Sequence, residues 1–368
     1  MKIKRLGLTN YRNCEDVEII FPTTKTLIIG KNAQGKTNIL ESIYFLSDLK
    51  SPRTSTISDL IKFDGSYFEI CADINKNDTD ITLQYSYTTD KKRELKINGV
   101  KSTPKNFKLV IKTVLFSTKD MLLLRGSPED RRTWLDRAIS QIYPAYDERL
   151  SKYDKIRIQK NNLLKNDVVD NALLEIYNEQ LVITGANIIY LRKKFLKEME
   201  TVAAKKHKVI SNSEIFEANY SFLCNDEVED IAEYLKQELF KRKDEEIARH
   251  QACVGPHRDD VEFKINGVDA TKFASQGQQR TLVLSLKLSE LEIIKEKTGN
   301  YPILLLDDVL AELDDKRQNY LLKSIDKNTQ TIITSVDTLL FENEFLKDVT
   351  IYNVEAGKIV YNNNERKT

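Results

Sequence analysis

The chain has 368 residues, 31% of them charged, with 57 Lys and Arg against 56 Asp and Glu for a formal net charge of +1. That length predicts two or three domains around a sizeable core, and the charge balance excludes a uniformly basic nucleic-acid binder, so any basic surface has to be a local patch. No apolar run is long enough to span a membrane, and the four cysteines, Cys14, Cys71, Cys224 and Cys253, form no C-x-x-C pair, which points to reduced thiols in a cytoplasmic protein.

Taken in order, Ile3 to Leu8 and Val17 to Phe21 read as two short strands around a polar turn, TNYRNCED. Tyr11 and Arg12 stand in that turn, where a ring or guanidinium plane can lie on an adenine or reach a phosphate, or simply face solvent. An apolar strand, Leu27 to Ile29, then runs into GKNAQGKT and a helix from Asn38. Strand, G-x-x-x-x-G-K-[ST] loop and helix in that order predict a phosphate-binding loop for ATP. Its residues are Gly30, Lys31, Asn32, Ala33, Gln34, Gly35, Lys36, Thr37 and Asn38, with Arg12 as a further candidate contact. The two glycines let the backbone wrap so that successive N–H groups point inward, toward a helix N-terminus of positive potential. Lys36 then reaches the β- and γ-phosphates and the Thr37 hydroxyl ligates Mg2+.

Ser51 to Ser58 is Ser/Thr-rich, contains Pro52 and predicts a mobile connection. From Tyr67 to Val114 the pattern is β: FEICADI, ITLQYSYT, ELKINGV and LVIKTVLF, with Asn98-Gly99 as a hairpin signal, which predicts an antiparallel sheet flanking the ATPase core. From about Arg125 to His250 helical periodicity replaces it. Leu174, Tyr177, Leu181, Thr184, Ile188, Leu191 and Phe195 keep a 3-4 spacing, and Val228, Ile231 and Leu235 begin a second stripe, which predicts a short antiparallel helical arm. Arg131, Arg132, Lys193, Lys194 and Lys197 are candidate DNA-backbone contacts there; interspersed acids leave a solvated helical face equally open.

His250, Cys253 and His257 match no four-ligand metal spacing. VGPHRDDVEFKING, Val254 to Gly267, predicts a turn entering a hairpin, with Arg258, Asp259 and Asp260 as charged partners of a catalytic face. Next comes SQGQQ, in which Ser275 is placed to cap an apolar helix and Gly277 to let backbone N–H groups approach a ligand. Ile303 to Leu306 is a strand buried on both faces that ends in Asp307-Asp308. A carboxylate there faces the nucleotide crevice; Asp307 is placed to hold magnesium through water and Asp308 to polarise an attacking water. Thr331 to Ser335 predicts a last strand of the same sheet.

The loop at Gly30 to Thr37, SQGQQR at Ser275 to Arg280, LLLDD at Leu304 to Asp308 and AELD at Ala311 to Asp314 resemble, in that order, the ABC-type ATPases of the SMC and Rad50 kind. LTNYRN near the start, LLLRGSPEDRRTWLD at Leu122 to Asp136 and GPHRDD at Gly255 to Asp260 narrow the resemblance to the RecF family, over nearly the full length. The resemblance implies an α/β fold: an ABC-type ATPase head, a P-loop NTPase sheet plus an antiparallel β-lobe, with an inserted short helical-arm domain. Residues 1–125 and 251–368 would be the two halves of the head, and 126–250 the arm. It implies slow, DNA-dependent ATP hydrolysis with Lys36 and Asp308 as the catalytic pair, and an ATP-dependent head-to-tail homodimer. In that dimer Ser275, Gln276, Gly277, Gln278 and Gln279 close on the partner's triphosphate, with Asp314 at the same interface. Members of the family bind duplex and gapped DNA in the nucleoid, and with RecO and RecR load RecA onto single-stranded gaps, in replication recovery and SOS induction. A structural DNA clamp without RecA loading is the alternative. The chain departs from ABC ATPases at large by Asp308 in place of Glu, by no switch His after the last strand, where Thr334 or Ser335 stands in reach of a γ-phosphate, and by no glutamine in VLFSTKD at Val114 to Asp120.

Overall fold

The computed structural model describes residues 1–222 and 227–360, so that Cys224 lies outside the described residues. By internal packing the chain divides into two compact units, Met1–Asp120 together with Glu290–Thr368, and Met121–Ser289.

The first unit begins with a hairpin, β1 (Lys2–Tyr11) and β2 (Cys14–Ile20), then β3 (Lys25–Ile29) and helix α1 (Lys36–Asp48). β4 (Tyr67–Lys76), β5 (Thr79–Thr88), β6 (Arg93–Ile97) and β7 (Val100–Lys101) follow, then a short α2 (Pro104–Lys108) and β8 (Thr113–Ser117). An all-antiparallel sheet of order β2-β1-β4-β5-β6-β7 forms the lobe expected from the alternating pattern: Ile70, Ala72 and Ile74 of β4 and Leu83, Tyr85 and Tyr87 of β5 point inward while the residues between them are at least partly exposed. The β1–β2 turn is tighter than expected, Tyr11 pairing directly with Cys14. Tyr11 therefore alternates into the core, edge-on to Phe68 at 5.4 Å between centroids, and is not available to an adenine.

The last of the expected lobe strands belongs elsewhere. LVIKTVLF contributes β8, whose first four residues are buried and which pairs parallel with β12 as the edge strand of the other sheet.

The second unit starts with α3 (Leu122–Arg125), α4 (Pro128–Ile142), α5 (Tyr146–Leu163) and the 41-residue α6 (Asn171–Ser211). It continues through β9 (Phe216–Tyr220), α7 (Val228–Lys241), α8 (Lys243–Arg249), β10 (Val261–Ile265), β11 (Val268–Asp269) and α9 (Ala270–Phe273). On α6 Leu174, Leu181, Thr184, Ile188 and Phe195 are buried as the stripe predicted, and Ala186 and Ile189 pack with Ile231, Leu235 and Leu239 of α7. The hairpin expected in VEFKING is β10–β11, turning at Asn266-Gly267 with both residues at positive φ. Strand β9, read as helical territory from sequence, pairs antiparallel with β10.

Helix α10 (Gln276–Thr298) leads back to the first unit, which closes with β12 (Ile303–Asp307), α11 (Asp315–Ser324), β13 (Thr331–Ser335), a short α12 (Asn343–Leu346), β14 (Val349–Glu355) and β15 (Lys358–Val360). The sheet order is β15-β14-β3-β13-β12-β8, parallel throughout except for β15. One core runs from Ile28, Ile303 and Ile332 of this sheet through Ile39, Ile43 and Phe45 of α1 to Ile70 and Tyr85 of the lobe, so α1 is held from both sides. No helix among the described residues is long and apolar enough to cross a membrane.

Candidate nucleotide site

All of this site lies in the first unit. Strand β3 delivers the chain to Gly30, where a Cβ atom would stand 2.4 Å from the Val354 carbonyl oxygen of β14, so no other residue fits that approach. Gly35 caps α1 at φ +113°. Between them Gln34 is gripped from two sides: its carbonyl accepts from Gly357 N (2.8 Å) and from Asn13 Nδ2 (3.3 Å), and its Oε1 accepts from Ala356 N (2.6 Å). The β1–β2 and β14–β15 turns thus hold the loop in its open, inward-facing curve. The role of the β14–β15 turn was not legible in the sequence, because β14 and β15 carry no motif; the β1–β2 turn was singled out, but for Tyr11 and Arg12 and not for Asn13.

Lys36 is buried, and its Nζ donates to the carbonyls of Gly30 (2.7 Å) and Lys31 (3.2 Å), which places the ammonium across the mouth of the loop. One residue on, Thr37 Oγ1 donates to Asp307 Oδ1 at 2.9 Å. Asp307 ends β12, and Thr334 of the adjacent β13 also donates to its Oδ1, at 3.0 Å, while accepting from Asp308 N at 2.9 Å. Thr334 is therefore buried and committed to positioning the two aspartates, which corrects the expectation that it reaches a γ-phosphate. Burial raises the Asp307 carboxyl above the ordinary range against the pull of these two hydroxyls. Asp308 has φ +52°, a left-handed turn that carries its side chain into the cavity wall. A hydroxyl and a carboxylate converging at hydrogen-bond distance beside a phosphate loop are the hard oxygen donors magnesium takes.

The cavity, about 520 Å³, is lined by Asn32 to Asn38 from the loop, by Asp307 and Asp308, and by Glu41, Arg53 and Lys119, which sequence reasoning missed. Glu41 is a buried acid in the mostly apolar run ILESIYFL, a signal in itself that it must be paired. Arg12 makes that pair, bidentate at 3.1 and 2.8 Å, and donates to the Asp59 carbonyl. Arg12 is engaged by this cavity-lining acid and is not itself among the lining residues, whereas Arg53, bonded to Glu41 (3.3 Å) and Asn38 Oδ1 (2.6 Å), is. The segment expected to be mobile is tied down by the same acid, through Ser51 Oγ and Arg53.

In the second unit Ser275 caps α10 reciprocally: its Oγ accepts from Gln278 N (3.2 Å) and its own N–H donates to Gln278 Oε1 (2.8 Å). Gln278 Nε2 also donates to Glu214 (2.8 Å), and Gln279 Oε1 accepts from Arg125 (2.8 Å), while Ser275 and Gln276 remain exposed. Back in the first unit, Asp314 caps α11 by accepting from Arg317 N (2.9 Å).

Residues 2–359 match the family model of the RecF/RecN/SMC N terminal domain. The DNA replication and repair protein RecF of Alkaliphilus oremlandii (strain OhILAs) is 39% identical over 98% of this chain and 100% of its own length, and that of Bacillus subtilis (strain 168) 38% over the same shares. The chain belongs to the RecF family. Two solved RecF structures, described as the recombination mediator protein RecF with ATP and with ATPrS in the RecFOR pathway, are 36% and 35% identical, with TM-scores of 0.90 over 97% of this chain and 96% and 97% of theirs. An SMC head bound to the C-winged helix domain of ScpA shares the fold, at 15% identity and a TM-score of 0.55 over 98% of both chains.

GSPEDRRTWLD and GPHRDD, two of the motifs on which the resemblance to the RecF family rests, meet inside the second unit. Arg131 is 6% exposed and bidentate to Asp260 at 2.7 and 2.8 Å, so burial removes it from the DNA-contact candidates. Arg132 donates to the Asp259 carbonyl (2.7 Å). Arg192 of α6 is buried between Asp136 (2.7 and 2.8 Å), the Pro256 carbonyl (2.6 Å) and Tyr220 Oη (3.1 Å), and Tyr220 Oη donates to Asp259 (2.8 Å). Asp259 and Asp260 thus pair within this network and are not partners of a catalytic face. Burial pushes the Asp259 carboxyl up to about 6, and holds His257, bonded to Tyr153 Oη (2.7 Å), down at about 3. Of the remaining basic candidates, Lys194 and Lys197 are exposed on α6, and Lys193 is half-buried with its ammonium 6.0 Å from the Phe222 ring centroid.

Proposed function

We propose that the chain is an ATP-switched mediator of recombinational DNA repair. It binds Mg2+ and ATP in the Gly30 to Asn38 pocket, pairs head to tail with a second copy on nucleotide, and holds duplex or gapped DNA while RecO- and RecR-type partners load RecA. The observation that carries this is the junction of Lys36, Thr37 and Asp307 at one cavity wall, because it joins the phosphate loop to the metal carboxylate. The full-length similarity to RecF relatives, two of them solved with a nucleotide, supports repair in preference to a structural clamp.

Each residue has a chemical task in this reading. Lys36 exchanges its two carbonyl partners for phosphate oxygens, and the N–H groups of the loop take the remaining phosphate charge. Thr37 and Asp307 hold the metal, which when bound neutralises charge on the β- and γ-phosphates. Asp308 orients and polarises the attacking water; its short side chain makes slow turnover the expectation. Ser275 to Gln279 of the other copy complete the site, with Asp314 beside them, so the paired state exists only with triphosphate bound, and hydrolysis releases the DNA. Lys194 and Lys197 are the exposed candidates for the DNA backbone.

Binding of a gapped duplex, measured by fluorescence anisotropy with and without ATP and magnesium, tests the reading. Lys36→Ala should abolish the ATP-dependent part of DNA binding, and a variant that keeps it would sink the proposal.

A further inference from the structure

The cavity holds a cation that neither the loop nor the aspartates account for. Strand β8 runs parallel to β12 with Ser117 in register with Asp307, so the turn that leaves β8 emerges level with the two aspartates. That turn is built rigidly: Asp120 Oδ2 accepts from Ser117 N at 2.6 Å and from Ser117 Oγ at 3.5 Å. Lys119 projects from it, exposed and lining the cavity, with its Nζ donating to the Pro52 carbonyl at 3.1 Å.

The other two cations of the cavity are held more firmly. Lys36 is buried across the loop mouth, and Arg53 is bound to both Glu41 and Asn38. Lys119 leans on one neutral carbonyl, and a phosphate oxygen would add an opposite formal charge to that bond, so the ammonium exchanges the carbonyl for it readily. Lys119 lines the same cavity as Asp307 and Asp308, on a turn that leaves β8 level with Asp307, the end of the pocket that the nucleotide reading gives to the metal and the outermost phosphate.

We propose that Lys119 binds the terminal phosphate of the nucleotide and makes the site discriminate ATP from ADP. This rests on the nucleotide reading above. When Lys119 moves to phosphate it gives up its bond to Pro52, while Ser51 and Arg53 keep that segment tied to Glu41.

Isothermal titration of the full chain with Mg-ATP, Mg-ATPγS and Mg-ADP tests the proposal. Lys119→Ala should weaken ATP and ATPγS binding about tenfold, the loss of one charge-assisted bond, and leave ADP binding within about twofold. Unchanged ADP binding also shows that the variant's pocket is folded. Lys119→Arg should restore most of the ATP affinity. Equal losses for ATP and ADP, or no loss for either, would overturn the assignment. Wild-type protein that bound neither nucleotide would remove the nucleotide reading and the Lys119 proposal with it.

Discussion

Asp308 stands just past a buried strand in a left-handed backbone turn, fixed there by the bond from its N–H to Thr334. That geometry places Asp308 at the cavity and, in the proposed function, leaves Asp307 to the metal. Asp308→Asn should keep ATP binding and lower hydrolysis by about 10²- to 10⁴-fold, the usual contribution of a positioned base; phosphate release under single-turnover conditions measures it, and normal turnover would take Asp308 out of the reaction. Asp259 makes a different kind of prediction. Burial raises its carboxyl from 3.8 to about 6 in the folded chain, so the folded state holds this proton more tightly than the unfolded state. The stabilisation is complete below pH 3.8 and lost as pH rises through about 6. Asp259→Asn should therefore gain on the wild type by about 2–3 kcal/mol between pH 4 and 7, at 1.36 kcal/mol per pKa unit; urea unfolding at both pH values checks this, and a constant difference would contradict it. At this scale the sequence was most informative where spacing alone carries the chemistry. Gly30, Lys36, Thr37 and Asp307 are found by period and position, whereas Arg53 and Lys119 sit in unremarkable strings and become site residues only because Glu41 and the β8–β12 register place them.

Among the elements, the antiparallel lobe and the long arm helix were readable because alternation and 3-4 spacing each extend over several residues. β8 was assigned to the wrong sheet because a short strand with an apolar centre looks the same in any buried context, and β9 was missed because FEANY has only Phe216 and Ala218 to mark its inner face. The arm's polar interior was not legible at all. Lys160 of α5 and Glu246 of α8 form an ion pair at 2.5 Å with 0% and 1% side-chain exposure, and Glu246 also accepts from Cys253 N. Removing one partner strands the other in a dry interior, so Lys160→Ala should destabilise the second unit by about 3–5 kcal/mol. Its unfolding can be followed by hydrogen exchange of α5 and α8 amides. Protection unchanged from wild type would show that water or a neighbouring group replaces the lysine.

For the molecule as a whole, a net charge of +1 means that DNA affinity has to come from a patch assembled locally or between two copies. In the proposed dimer, two copies joined over nucleotide would present a surface that one copy lacks, and the number of phosphates it neutralises would set the salt dependence, about 0.9 of log–log slope for each. The measurement that tests this most directly is sedimentation velocity of the purified chain with and without ATP and magnesium, alone and with a gapped duplex. The account predicts a monomer without nucleotide, a dimer with ATP and magnesium, and co-sedimentation with DNA only in the second condition. A chain that stayed monomeric and ignored the gapped duplex in both conditions would contradict the ATP-switched repair mechanism.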